Sequence, residues 1–299
     1  MADLRDTIEE TQAFYDEYGT DEWDRLATGI DGALEFSETV DTLASTLPSS
    51  GRVLDAGGGA GRYSRWLAAR GHDVTLLDLS RGQLSVAVDR FGDADIDGDG
   101  DSGVDADTAA SVDTVSTVSP VQGSITDLGL PANTFDAVCC LGGPLSHLLD
   151  EGDRVQAVRE LRRVAKPNAQ VVVSVMGLLG AVQLYLLSGH NVAALPNLLK
   201  HGDYDSALLK RHGYENEFTA THFFRRDELE SLLATAGIQV ETVRGLEGLA
   251  SPFHADHIQQ VGGELTDDER QALTDVVART NDDPIVADLS IHMLAVGRA

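Results

Sequence analysis

A strand that runs straight into a cluster of glycines and then into a helix limits this chain more than any other feature. Val53-Leu54-Asp55-Ala56 leads into Gly57, Gly58, Gly59 and Gly61, and a helical pattern begins at Tyr63. Glycine lacks the Cβ that would block a ligand and tolerates positive φ, so such a turn brings main-chain N–H groups against a bound molecule. The same unit is the first half of a parallel crossover, which needs a sheet covered on both faces.

The chain continues the alternation. Helical patterns at Tyr63 to Ala69, Arg81 to Arg90 and Arg154 to Val164 separate apolar strands at Arg52 to Ala56, Val74 to Leu77, Phe135 to Leu141 and Val171 to Met176. Strands apolar on nearly every residue between amphipathic helices predict an α/β fold with one doubly wound, mostly parallel sheet. Ahead of it, Leu4, Ile8, Phe14, Tyr15 and Tyr18 fall on roughly one face of a helix over 3–18, and a second helix over 34–47 ends at Pro48-Ser49-Ser50-Gly51. Residues 1–50 therefore read as an N-terminal helical cover and 51–176 as the core.

Two stretches interrupt the pattern. Residues 92–118 are rich in Asp, Gly, Ser and Thr with almost no large apolar side chain, the composition of a flexible acidic insertion. Its opening at Asp93 imitates a calcium loop, but Val104 stands where the bidentate glutamate is required. Residues 177–222 follow a core strand at its carboxyl end, where insertions sit over the ligand crevice, and are expected to form a substrate lid. Residues 223–299 return to the sheet: Asp227 is read as the cap of a helix over 228–236, followed by a strand over 238–244. A helix within 265–279 has Thr266 as N-cap and Glu269 at its third position, and a last strand spans 290–297.

Charge sets limits on partners. With 49 acidic and 22 basic residues the formal charge is -27, which repels nucleic acid and anionic membranes at ordinary salt. Only Lys166, Lys200 and Lys210 are lysines, however, and acid enrichment with lysine depletion is the pattern of a salt-adapted, halophilic protein. At molar salt the Debye length is about 3 Å, so the charge then reports habitat more than partner. No signal peptide or run of about 18 apolar residues is present, so no membrane partner and a cytoplasmic location are expected. Cys139 and Cys140 are adjacent in an apolar strand and read as buried reduced thiols; His190, His201 and His212 lack metal-ligand spacing, and no metal is expected.

Asp78 stands 19 residues after Gly59, at the end of the next strand, where an acid can accept hydrogen bonds from both ribose hydroxyls. A glycine loop with a distal acid suits many nucleotides. The dinucleotide fingerprint, though, requires glycine at its sixth position, and counting from Gly57 that position is Arg62. With Asp55 also inside the strand, the pattern favours a ligand with an ammonium group and no pyrophosphate.

Val53 to Arg62 resembles motif I of class I S-adenosylmethionine-dependent methyltransferases, and Asp78 resembles their ribose-binding acid. Gln122 to Leu128, Phe135 to Val138 and the turn Leu141-Gly142-Gly143 are similar to their later motifs, over about residues 50–176. The resemblance implies a Rossmann-like sheet of seven strands with helices on both faces and S-adenosyl-L-methionine as cofactor. By position it implies that Asp55, Gly57 and Gly59 hold the amino-acid end. Asp78 would hold the ribose, Ser124 and Ile125 the adenine, and Leu141 would make a main-chain contact near the sulfonium; Gly61 and Leu79 also belong to the implied cofactor-binding set. Ser124 departs from the Asp that many members place there, and an uncharged hydroxyl is a weaker partner for the adenine amino group.

On the acceptor side, His147 stands where a general base could act, or where it would pack or cap a helix start. Tyr18, with Tyr15, Trp23 and Arg25, could close over the cofactor or pack the helix face. His222, Arg225 and Arg226 read as a solvated helix start or as anchors for an anionic substrate. The expected reaction is methyl transfer to an oxygen or nitrogen of an acceptor, with a small molecule favoured and tRNA possible. Arg70 to Val74 and Leu77 to Ser80 are similar to bacterial methyltransferases that esterify a carboxymethoxyuridine at the tRNA wobble position. A nicotinamide-dependent oxidoreductase and a non-catalytic cofactor-binding sensor are the alternatives.

Overall fold

A computed structural model describes residues 4–92, 117–189, 191–213, 218–254 and 265–299; the bulk of the acidic insertion with its calcium-like loop, and His190, lie outside them. Three helices, α1 (Leu4–Tyr18), α2 (Asp21–Arg25) and α3 (Gly29–Thr46), precede β1 (Gly51–Ala56), α4 (Arg62–Ala69), β2 (His72–Asp78) and α5 (Arg81–Gly92). Next come β3 (Val118–Gln122), β4 (Phe135–Cys140), α6 (Glu151–Val164) and β5 (Ala165–Met176). A segment of α7 (Leu178–Ser188), α8 (Leu195–His201), β6 (Asp203–Tyr204), α9 (Ser206–His212) and β7 (Thr221–His222) follows. The chain closes with α10 (Arg226–Thr235), β8 (Gln239–Gly245), α11 (Asp267–Thr280), α12 (Pro284–Leu289) and β9 (His292–Arg298).

The sheet has seven strands in the order β3-β2-β1-β4-β5-β9-β8, parallel from β3 to β5, with β9 antiparallel to both neighbours. This is the expected α/β architecture. Alternate residues of one strand enter opposite cores: Leu54, Val138 and Val173 pack under α6 and α10, while Val53, Ala137 and Val172 pack under α3 and α4. Both faces are buried, which is why the strands are apolar on nearly every residue. Cys139 and Cys140 likewise point into opposite cores, and burial pushes both thiols up.

β3 lies outside the strands read from the sequence, and two local expectations shift. β3 contains Pro120, which argues against a strand, yet β3 is the sheet edge, where a missing N–H breaks no ladder on its outer side. α3 starts at Gly29 rather than near Leu34, and Gly32 within it lies against α2 so closely that a Cβ would stand 2.1 Å from the Arg25 carbonyl oxygen. α10 starts at Arg226, and its cap is not Asp227 but Asp288 of α12, whose Oδ1 accepts from the Arg226 N–H at 3.0 Å. The capping box of Thr266 and Glu269 forms as read.

α1 is docked on the start of α5 by polar contacts. Gln83 Nε2 donates to the carbonyls of Tyr15 and Gly19 at 3.0 Å each, and Asp16 accepts from Ser80 Oγ at 2.6 Å. The α7–β7 segment has its own small core of Leu178, Leu195, Leu198, Tyr204, Leu209 and Phe223. His222 ties it to α10: Nδ1 donates to Asp203 and Nε2 to Glu228, both at 2.7 Å. Burial opposes the charge on His222, but the two carboxylates outweigh it and raise its pKa. His222 is thus a buried clamp rather than a solvated helix start. Arg225 and Arg226 are likewise engaged, with Asp288 and Glu230.

Candidate active site

The glycine turn ends β1 with φ of 75° at Gly57, 53° at Gly59 and 81° at Gly61, a region that L side chains rarely occupy. Space is as restrictive as conformation. A Cβ on Gly57 would lie 2.5 Å from the Pro144 ring, and one on Gly61 would lie 2.6 Å from the Phe91 ring. Asp78, at the end of β2, holds the turn from the far side: Oδ2 accepts from the Gly59 N–H and Oδ1 from the Ser80 N–H, each at 2.8 Å. Asp55 lies beneath Gly58, fully buried, with Oδ2 accepting from Ser64 Oγ at 2.7 Å and Oδ1 unpartnered. Burial pushes Asp55 and Asp78 each up to about 6, against the hydrogen bonds that favour their charged forms.

Most of the residues singled out from the sequence meet in one cleft. Gly57, Gly59, Gly61, Asp78, Leu79, Ser124, Ile125, Leu141 and His147 all line it. Asp55 does not reach the cleft surface, and Tyr18 faces a second chamber instead. Ser124 spends its hydroxyl locally, 2.8 Å from Thr126 Oγ1 and accepting from the Thr126 N–H. The roof was only partly read from the sequence: Ile8, Thr11, Gln12 and Tyr15 of α1 close the cleft, with Glu22. Their spacing of three, four and seven residues marks one helical face, and that was the available signal.

Arg62, which broke the dinucleotide fingerprint, has a structural task. Its guanidinium donates to the Trp23 carbonyl at 3.1 Å and sits over the Trp23 and Phe36 rings, pinning the N-terminal helices beside the turn. A cleft floored by close-packed glycines, with a ribose-type acid beside them, fits S-adenosylmethionine. Asp78 would take the ribose hydroxyls, and the glycine main chain the amino-acid end.

Residues 54–173 match the family described as "Methyltransferase domain". The chain is 29% identical over 209 residues to the ubiquinone biosynthesis O-methyltransferase of Ralstonia nicotianae, covering 70% of this chain and 71% of that one. It is 29% identical over 173 residues to the demethylmenaquinone methyltransferase of Clavibacter sepedonicus, 58% of this chain and 60% of the other. Among solved structures, an S-adenosylmethionine-dependent methyltransferase of Methanosarcina mazei superposes with a TM-score of 0.56 at 18% identity, over 86% of this chain and 96% of that one. The chain is an S-adenosylmethionine-dependent methyltransferase. The nicotinamide and sensor alternatives fall away.

Next to the cofactor cleft the methyltransferase has a second chamber of about 480 Å³. Tyr15, Glu22 and Gly142 line both, so the two cavities meet there. Aromatic rings dominate its walls, with Tyr18, Tyr185, Tyr204, Phe218 and Phe223. Behind Tyr15, on the cofactor-cleft side, His147 Nδ1 lies 3.0 Å from the Ala220 carbonyl, which can only accept, so Nδ1 carries the proton. Nε2 is then an acceptor and receives the Tyr15 hydroxyl at 2.9 Å. Burial pushes His147 down to about 4 and raises Tyr15, so the pair is neutral near pH 7.

The chamber also carries charged groups, Arg25 and His292. His292 Nδ1 donates to Glu247 at 2.6 Å, and Glu247 is fixed in turn by Ser290 Oγ at 2.9 Å. Burial disfavours the imidazolium, but Glu35 and Glu247 outweigh it and push His292 up to about 9. Arg25 pairs with Glu35, which despite burial is held at about 2. Glu35, Glu247 and His292 are close enough to ligate a metal, but Arg25 and protonated His292 already balance the two carboxylates.

Proposed function

We propose that this methyltransferase methylates a hydroxyl oxygen on a planar, aromatic small molecule held in the second chamber. The carrying observation is that chamber's aromatic wall and its junction with the cofactor cleft at Tyr15, Glu22 and Gly142. S-adenosylmethionine supplies an electrophilic methyl on a sulfonium, so the C–S bond breaks as the C–O bond forms. The protein's part is to align and desolvate the partners and to receive the hydroxyl proton. Tyr15 Oη takes that proton as its own passes to His147 Nε2, whose acceptor role is fixed by the Ala220 carbonyl. A histidine held near 4 is a weak base, which suits an acidic, phenol-type hydroxyl better than an aliphatic one.

His292 offers its remaining ring N–H to a carbonyl or phenolic oxygen of the acceptor. The two curated relatives, named for ubiquinone and menaquinone, support a ring with such oxygens. The α7–β7 segment serves as the substrate lid, and Tyr18 belongs to the acceptor side. An RNA acceptor has no support in a chamber of about 480 Å³.

The test supplies radiolabelled methyl donor with catechol- and hydroquinone-type acceptors, to the wild-type protein and to Tyr15→Phe. Label should enter a methyl ether, and the variant should lose about 10–100-fold in kcat with unchanged affinity for S-adenosylhomocysteine. Label appearing only in an RNA fraction, or a variant as fast as wild type, would sink the proposal.

A further inference from the structure

Exposed apolar side chains are unevenly distributed over the surface. Of the eight large ones among the described residues, Leu186, Leu187, Val192 and Leu199 fall within fourteen residues, on the end of α7, the turn after it and α8. The other four are Val88 on α5, Leu249 after β8, Val276 on α11 and Ile285 on α12. Isolated apolar residues are ordinary on a protein surface, whereas a cluster on consecutive packed elements marks a contact face.

The same stretch departs from the charge of the chain. Residues 178–213 carry Lys200, Lys210 and Arg211 against Asp203 and Asp205, in a protein of net charge -27; Glu215 and Glu217 follow, outside the described residues. Two of the three lysines of the chain are here. Both acids are engaged internally, Asp203 with His222 and Asp205 as the cap of α9, where it accepts from the Leu208 N–H. Lys200, Lys210 and Arg211 are exposed.

We propose that the outer face of α7, α8 and α9 rests on an anionic phospholipid bilayer, with Leu186, Leu187, Val192 and Leu199 in the interfacial region and Lys200, Lys210 and Arg211 at the phosphate level. No helix among the described residues is long and apolar enough to cross a membrane, but interfacial contact needs only one apolar face with basic flanks. Each basic residue near an anionic surface contributes about 1 kcal/mol, and charges more than a Debye length of about 8 Å from that surface are largely screened at 0.15 M salt. Leu184, Tyr185 and Ser188 of the same α7 line the second chamber, so the face that meets lipid is one helix thick from the cavity. The mean charge of the chain argues against any membrane, and this segment is where that mean misleads.

Vesicle co-sedimentation of the full chain at 0.15 M salt tests the idea independently of the methyl acceptor. Vesicles with 30% phosphatidylglycerol in phosphatidylcholine should pellet at least about tenfold more protein than phosphatidylcholine alone, as two or three basic contacts imply. The double variant L186D/L199D should abolish pelleting while keeping wild-type Tm and affinity for S-adenosylhomocysteine, since both side chains are exposed and line neither cavity. No difference between the two vesicle types, or pelleting unchanged in L186D/L199D, overturns the proposal. So does a dimer by light scattering that L186D/L199D dissociates, because a second copy would then cover the face.

Discussion

In the cofactor cleft the main polar contacts come from Gly57, Gly59 and Asp78, close in sequence and largely main chain in character. In the second chamber they come from side chains drawn from the whole length of the chain, Tyr15 and Arg25 at one end and Glu247 and His292 at the other. The first region is fixed by backbone conformation and tolerates almost no change. The second is assembled by tertiary packing, and each member can be altered with a graded effect.

The strongest way to sharpen that contrast is Gly57→Ala. It places a Cβ at φ of 75° and 2.5 Å from Pro144, and strain plus overpacking of about 2–6 kcal/mol should fall on the turn itself. Calorimetry should find S-adenosylhomocysteine affinity reduced more than a hundredfold. Near-normal affinity would mean that the turn is pliable and the contrast false.

A pH titration comes next in size. Asp55 and Asp78 are held near 6 against an ordinary value of 3.8, so the free folded protein binds protons that the unfolded chain has released. Folded-state stability from this pair therefore falls as pH rises from about 4 to 6 and is flat above. Ligand binding has the opposite sign: only the carboxylate of Asp78 can accept from both ribose hydroxyls, so affinity should drop below pH 6 by up to about tenfold per unit. Asp78→Asn should bind about 10–100-fold more weakly and lose the part of that pH dependence due to Asp78. An affinity constant from pH 5 to 8 would remove Asp78 from the ribose role.

How much could be read in advance follows the same division. The glycine turn, Asp78, the sheet and the Thr266 capping box are local patterns, and each stands where the sequence placed it. Asp55 was assigned to the ligand, but strand alternation sends its side chain beneath the turn. Tyr15 and Tyr18 are three residues apart on α1, yet only Tyr15 reaches the cleft, because the docking of α1 through Asp16 and Gln83 sets the rotation of the helix. No window of sequence contains that information. The pairings of His292 with Glu247 and of Arg25 with Glu35 were invisible for the same reason.

His222 tests the packing side of the comparison. His222→Gln removes a charged clamp between Asp203 and Glu228, at a cost of about 1–3 kcal/mol, or about 2–8 °C in Tm. Its folded pKa lies above 6.5, so the stabilisation is full below pH 6.5 and is lost as pH rises through the folded value. The difference in Tm between wild type and variant should therefore narrow at alkaline pH, with S-adenosylhomocysteine affinity unchanged throughout. A fall in cofactor affinity instead would show that the two regions are coupled.

The smallest effect separates local reading from tertiary fact within one helix. Asp227 has the composition of a cap but lies in the first turn of α10, where a carboxylate contributes only a few tenths of a kcal/mol through the helix dipole. Asp288, sixty-one residues further along, accepts from the Arg226 N–H and also holds the Arg225 guanidinium. Asp288→Ala should lower stability by about 1–2 kcal/mol in urea unfolding, and Asp227→Ala by less than about 0.5 kcal/mol. Equal losses would mean that the first turn is held by its own acid after all, and that α12 merely rests against it.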